Sequence, residues 1–438
     1  MKQFQIMYKK KHALKAWLKM IHKFCKDSGI PEECAVFRIF SDLCDDTILS
    51  PVLSEITSEF PDSPYAGASS IGNIVYGSLV EEHISITCTI FEDRESRICI
   101  LQCPMGYDTQ GQTADILTRA VEENPWVSAI EIMTTAGGVD MDAFCRRLSA
   151  LPDRILIYGG CAHATDMKNG DSSNTFVFSS VGGTARHSAV FILLGGPSLH
   201  LEALYHIGWT QLGRSIPISG VSGNHIGSMN SEPAGEVYKR FLQIPEGEHY
   251  FALANVFPLG FRTNNTPYLR IVTRTEEDGS VRLSAFVRED TGKCAFTFGN
   301  AVEILERLEE NLVKMQHFEP QVIQLFSCAA RLMFWGRSDT SRETLPFETI
   351  AETSGFYTAG EFLRTGKDVL LHNVTIVAVG LREGDPSGRV SEVHVAQEDL
   401  SHQMQVSGCL AHFIKCQTEE QDFWNEQRGV EREDKYHG

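Results

Sequence analysis

Short runs of β-branched and aromatic residues recur at 36–40, 84–91, 96–101, 130–133, 155–158, 175–179 and 188–194, separated by glycine-rich turns and helical stretches. This is the rhythm of an α/β or α+β protein. Ahead of these runs, Leu14, Trp17, Leu18, Ile21 and Cys25 fall at i, i+3, i+4, i+7 and i+11, one face of an amphipathic helix, with lysines on the other faces. Such a stripe predicts docking on a sheet in preference to a membrane-surface helix. Residues 268–273, 281–286 and 294–298 read as a small antiparallel set, with Asp278-Gly279 as a hairpin turn. Val302, Leu305, Leu308, Leu312 and Met315 predict a helix over 301–318, stopped by Pro320. A further helix is expected over 407–424.

The two ends of this pattern repeat one another. Val36-Phe-Arg-Ile-Phe-Ser41 is followed by Gly67-Ala-Ser-Ser-Ile-Gly72, by Gly77 and by a long strand from His83. Val322-Ile-Gln-Leu-Phe-Ser327 is followed by Gly355-Phe-Tyr-Thr-Ala-Gly360, by Gly366 and by a long strand from His372. The offset grows only from 286 to 289. A third copy is expected at 154–160, 175–178 and 188–194. The duplication predicts two related α/β domains with a central antiparallel β segment. Their expected limits are a basic helical arm over 1–32, domains over 33–234 and 235–390, and a polar tail over 391–438. Two related halves meet at a pseudo-symmetric interface, where a cleft commonly forms.

The 438 residues suffice for two or three domains with full cores. Asp and Glu number 57 against 39 Lys and Arg, a net charge of −18. Residues 1–26 hold eight Lys and no acid, so the remaining 412 residues carry −26. That acidity argues against nucleic acid as a default partner. No stretch approaches the ~20 apolar residues of a membrane span, and Lys15 and Lys19 interrupt the only N-terminal apolar stretch, so a cytoplasmic protein is expected. The twelve cysteines are scattered and read as buried, inert thiols.

Chemistry concentrates near the C-terminal copy. Cys328 stands where a strand gives way to a helix, with Arg331 one turn on and His372 elsewhere, a thiol–imidazole pair in principle. No third orienting residue or oxyanion motif accompanies it. Arg331 is expected either in an ion pair with Glu343 or Glu361, or gripping a ligand carboxylate as a fork. The glycine-rich stretches at 159–165 and 220–227 match no nucleotide fingerprint, and Cys161 with His163 lacks companion ligands, so neither cofactor nor metal is expected.

At these residues the chain resembles a known family. Phe326-Ser-Cys-Ala-Ala-Arg331, Gly336, Glu343, Gly355-Phe-Tyr-Thr-Ala-Gly-Glu361 and Leu371-His-Asn-Val-Thr375 are similar to the signature of the C-terminal FIST domain. Tyr65-Ala-Gly-Ala-Ser-Ser-Ile-Gly72, Gly195-Gly-Pro197, Gly208-Trp-Thr-Gln-Leu-Gly213 and Pro258-Leu259 resemble landmarks of the N-terminal FIST domain and its junction. Ala359 stands where the family usually has an aromatic residue, and Phe362 where it has an aliphatic one. The resemblance covers about 33–385. It implies a bacterial intracellular sensory domain for small ligands such as amino acids. The outputs it implies are a diguanylate cyclase, histidine kinase or chemoreceptor, with the tail starting a signalling linker helix.

The combined expectation is a small-molecule sensor and no enzyme. Ligand is expected near the 67–72 and 355–361 turns. Arg331 would take a carboxylate, Glu361 and Asn373 an amine or polar group, and Tyr357 and Trp209 would form apolar walls, with Cys328 and His372 alongside. The basic arm is expected at a self-association surface, consistent with a homodimer. The alternative is a thiol enzyme or redox sensor built on Cys328.

Overall fold

The computed structural model of the chain describes residues 1–43, 45–164, 174–243, 250–264, 266–288 and 290–388. It is a mixed α/β structure whose two compact units are not consecutive in sequence. One is built from 1–208 and 302–388, the other from 209–301.

The first unit is one pattern of elements written three times. Copy one runs β1 (Lys2–Tyr8), α1 (Lys11–Ser28), β2 (Ala35–Ser41), α2 (Leu49–Glu59), β3 (Tyr65–Ser69), a hairpin of β4 (Asn73–Val75) and β5 (Ser78–Val80), then β6 (Ile84–Ile90). Copy two runs β7 (Arg97–Pro104), α3 (Gln110–Glu123), β8 (Val127–Thr134), α4 (Met141–Ser149), β9 (Leu156–Cys161), the hairpin β10 (Val177–Ser179) and β11 (Gly183–Ala185), then β12 (Ser188–Gly195). Copy three opens with β13 (Leu199–His206) and is interrupted by the second unit. That unit comprises β14 (Trp209–Ser222), β15 (His225–Met229), β16 (Glu232–Pro233), α5 (Ala234–Leu242), α6 (Tyr250–Ala254), β17 (Leu259–Thr263), β18 (Thr266–Arg270), β19 (Val272–Thr275), β20 (Val281–Leu283) and β21 (Lys293–Gly299). Copy three resumes with α7 (Ala301–Phe318), β22 (Val322–Cys328), α8 (Ala329–Trp335), α9 (Ser341–Glu348), β23 (Glu352–Thr358), the hairpin β24 (Glu361–Thr365) and β25 (Asp368–His372), and β26 (Ile376–Glu383).

Each copy builds a six-stranded sheet around the same three strands. β2 lies parallel to β3 and antiparallel to β6, β8 likewise between β9 and β12, and β22 between β23 and β26. The parallel pairs need crossovers, which α2, α4 and α8–α9 provide. Each copy's own first strand covers one edge: β1 on β6, β7 on β12, β13 on β26. The hairpins are exchanged in a cycle, β4 onto β23, β10 onto β3 and β24 onto β9. No copy completes its sheet alone, so the three fold as one body.

One glycine per copy makes the exchange possible. Gly67, Gly159 and Gly355 lie opposite Ile39, Ile132 and Leu325, so close that a Cβ would stand 2.0, 2.0 and 1.9 Å from that residue's carbonyl oxygen. The incoming hairpin sets a large side chain against each: Phe178, Phe362 and Ile74. A second shared mark is a non-glycine residue in the left-handed region just ahead of the last strand: Glu82, His187 and Val374, with φ of 58°, 53° and 61°.

The repeat expected from the sequence is therefore present and larger. Residues 156–161 are the second central strand of copy two, which begins at β7. The offset between copies one and three is 286 at Arg38 and Gln324, 288 at Gly67 and Gly355, and 292 at Ile84 and Ile376. His372 thus closes the longer third hairpin and does not open the last strand. Residues 2–8, which hydrophobic pattern alone leaves in the helical arm, form a strand. Its alternation is masked because the buried side chains include Gln3 and Gln5, held by hydrogen bonds. The stripe of α1 is buried as expected, with Trp17 at its margin. On α7, Val302 faces outward, and Ile304 takes the buried position.

The second unit is an antiparallel sheet in the order β18-β17-β21-β14-β15-β20-β19, with β16 on β15. The Asp278-Gly279 turn joins β19 to β20, Gly279 at φ 82°. The helix expected over 407–424 lies outside the described residues.

Candidate functional site

The three copies meet through polar groups at equivalent positions. Arg38, Glu131 and Gln324 each precede the residue facing the close-packed glycine of their copy. Arg38 and Glu131 are fully buried and form a fork, with Nε to the two carboxylate oxygens at 3.0 and 2.9 Å and Nη2 at 2.8 Å. Tyr158 donates to Glu131 at 3.2 Å, and Arg38 Nη1 donates to the Thr89 hydroxyl at 3.1 Å. Thr89 and Gln324 both donate to Gln3, and Ser354 donates to Gln324. Residue-level reasoning missed this chain of contacts. Its signal is a single Arg within Val-Phe-Arg-Ile-Phe and a single Glu within Ala-Ile-Glu-Ile-Met, opposite charges in strands otherwise apolar. Buried charges occur where they are paired and hydrogen-bonded.

The second polar cluster lies at the ends of the copy-three strands and contains most of the expected site residues. Arg331, on the first turns of α8, is fully buried. Its Nε donates to Glu343 Oε2 at 2.9 Å and its Nη2 to Glu343 Oε1. Its Nη1 donates to the carbonyls of Ile207 and Val374, both at 2.8 Å. Of the two acids weighed for Arg331, Glu343 holds the fork. His206 Nε2 lies 3.3 Å from Glu343 Oε1, and its Nδ1 lies 3.2 Å from the Asn311 amide nitrogen. Burial acts to raise the Glu343 carboxyl, but Arg331 and His206 outweigh it and hold it down at about 2. Burial lowers His206 below the ordinary imidazole value.

Beside this fork, Glu361 is fully buried at the start of β24. Its Oε1 accepts from the Thr358 hydroxyl, and its Oε2 is buried without a hydrogen-bond partner among the described residues. Burial pushes the carboxyl up to about 8. Copy one explains the arrangement. There Ser70 donates to Asn73 Oδ1 at 2.6 Å, and Asn73 Nδ2 donates to the His83 carbonyl at 3.0 Å. Glu361 occupies the place of Asn73, and its Oε1 accepts from Thr358 as Asn73 Oδ1 accepts from Ser70.

Cys328 is read the same way. Its counterpart in copy one is Asp42, whose carboxylate accepts from the Glu82 and His83 amides at 2.6 and 3.0 Å. In copy two it is Thr135, whose hydroxyl accepts from the Ser188 amide at 3.1 Å. Cys328 sits against the matching turn, its own amide donating to Thr375 at 2.9 Å. It is 3% exposed, and burial, reinforced by Glu361, pushes its thiol well above the ordinary value. That is the opposite of the environment that makes a thiolate nucleophile. The described cysteines are free thiols, and all except Cys99 are buried.

Tyr357 shares a hydrogen bond with Thr340 at 3.1 Å, and burial pushes its phenol up to about 12. Asn373 donates to the Ala359 carbonyl at 3.1 Å. His372 pairs across the hairpin with Glu361 and packs its ring on Tyr205 at 5.3 Å. The two turns expected to converge do so: the Tyr357 amide donates to the Gly72 carbonyl at 2.9 Å, and β4 pairs with β23. Trp209 belongs to the second unit, where its indole donates to Val256 at 3.2 Å and its ring covers Gly299. Among the described residues, no group of three His, Cys, Asp or Glu is placed to hold a metal ion.

The FIST N domain family model matches residues 37–232, and the FIST C domain model matches 234–364. The chain belongs to the FIST family. FIST domains are associated with sensory signal transduction, and the matched stretch contains the Arg331–Glu343 fork, Cys328 and Glu361. The FIST N match spans the central strands of copies one and two, and the FIST C match reaches the third hairpin. No curated protein matches the chain significantly. No described helix of this FIST protein is long and apolar enough to cross a membrane.

Proposed function

We propose that this FIST protein is a cytoplasmic small-molecule sensor that relays ligand binding to a signalling output partner. The observation that carries the reading is the Arg331–Glu343 fork: within the FIST C domain, a buried guanidinium already holds a carboxylate. An amino acid or similar small carboxylate would take the place of Glu343. Glu361, neutral near pH 7, and Asn373 would then meet the ligand's polar end, with Tyr357 and His372 beside it.

Exchanging one carboxylate for another at Arg331 conserves the charge-assisted hydrogen bonds of the guanidinium, and the displaced Glu343 must then leave the interior, since a buried unpaired carboxylate is costly. It also frees the helix that bears Glu343. That helix, α9, holds the first hairpin through Ser341 to the Leu79 amide at 3.2 Å and Thr344 to the Gly77 carbonyl at 2.6 Å. Ligand binding would thus bias a packed element, as a sensor requires.

Isothermal calorimetry and thermal-shift assays against the amino acids and small carboxylic acids test this. A hit is expected, and Glu343→Gln, which removes the competing charge, is expected to bind that compound more tightly. If neither protein responds to any compound, or Glu343→Gln leaves the affinity of a hit unchanged, the proposal fails.

A further inference from the structure

The outward face of α1 carries a charge pattern that the described residues answer only in part. Lys11, Lys15, Lys19 and Lys23 follow one another at i, i+4 spacing, where like charges weaken a helix. Glu55 answers the first two, at 3.4 and 3.1 Å. Lys19 and Lys23, with Lys9, Lys10 and Lys26 near the helix ends, are exposed and meet no acidic side chain among the described residues. The apolar stripe of α1 is already used in the core, so it is not available for insertion into a bilayer. Yet Met20, 49% exposed, and Ala16 lie among the lysines.

The same position in copy three is held by α7, also 18 residues long and also between the edge strand and the first central strand. Its outward face is the complement. Val302 and Val313 are 44% and 43% exposed, with Glu306 and Glu309 exposed between them. Arg307 is tied to Glu310 at 3.1 Å, so those two glutamates have no cationic partner among the described residues. Lys314 lies at the far end of the face.

We propose that the lysine face of α1 docks on the acidic face of α7 in a second copy of this chain. The two faces match in charge and each offers exposed apolar side chains, which a phosphate-bearing partner would leave in water. The contact joins two different faces, so it either forms twice about a two-fold in an isologous dimer or continues head-to-tail as a chain of copies. Exposed charges make it sensitive to ionic strength.

The test is sedimentation equilibrium of the full chain at about 0.05 M and about 0.5 M salt. Reversible self-association is expected at the lower salt, weakened on the order of tenfold at the higher salt and in K19E/K23E. E306K/E309K is expected to lose association similarly, and an equimolar mixture of the two double variants to regain it. Circular dichroism confirms that these surface changes leave the fold intact. A monomeric wild type at low salt overturns the proposal, as does association indifferent to the reversals, or failure of the mixture to associate. So does binding of monomeric wild type to anionic phospholipid vesicles or duplex DNA through the same lysines.

Discussion

Arg331 illustrates what a buried guanidinium demands: two carboxylate oxygens and two carbonyls converge on it. Arg331→Ala leaves Glu343 as an unpaired buried charge and is expected to cost roughly 3–5 kcal/mol in urea denaturation. Glu361 behaves oppositely. Its folded value, raised to about 8, lies above the ordinary carboxyl value of 4.5. Between those values the folded state holds a proton that the unfolded state has released. Glu361 therefore lowers stability progressively as pH rises from about 4.5 to about 8, with a slope of at most ~1.4 kcal/mol per pH unit. In Glu361→Gln this part of the pH dependence is expected to vanish, because the amide does not titrate. An unchanged pH profile would show that Glu361 is ionised in the fold. Both residues were legible as candidates, because polar residues stood out beside a strand–helix junction. Their partners were not: Glu343 and Glu361 are equally acidic in sequence, and only the packing of α9 decides which one reaches Arg331.

Among the elements, the strands and long helices were legible because their apolar positions follow period two or 3.6. What escaped was β1, whose inward side chains include glutamines that only a hydrogen-bonded interior makes acceptable. The hairpins escaped in another way. Each follows its own copy in sequence and pairs with a different one in space, so no local pattern announces its partner. The glycines opposite Ile39, Ile132 and Leu325 are the local mark of that exchange. Gly67→Ala, Gly159→Ala and Gly355→Ala are each expected to destabilise by more than ~4 kcal/mol, since the clashing atom is backbone and cannot move aside. Comparable losses in all three, measured by thermal or urea unfolding, would confirm that they play one role three times.

For the whole molecule, the second unit is an insertion between β13 and α7, at a point where Gly208 lies against Ile304. A variant in which a short Gly/Ser linker replaces 210–300 is expected to unfold as a single cooperative transition, because copy three keeps every strand of its sheet. Loss of cooperative unfolding would show that copy three depends on the insertion.

The sequence by itself determined the element types, the repeat of the first and last copies, the family, and the concentration of polar residues around Arg331 and Glu361. These depend on local periodicity, turn residues and motif spacing, which are properties of neighbouring positions. Tertiary structure alone decided the true extent of the middle copy, the cyclic hairpins, the Arg38–Glu131 fork and the choice of Glu343 for Arg331. Each of these is a contact between residues far apart in sequence, selected by burial and hydrogen-bond satisfaction in a shared interior, and no local pattern encodes that choice.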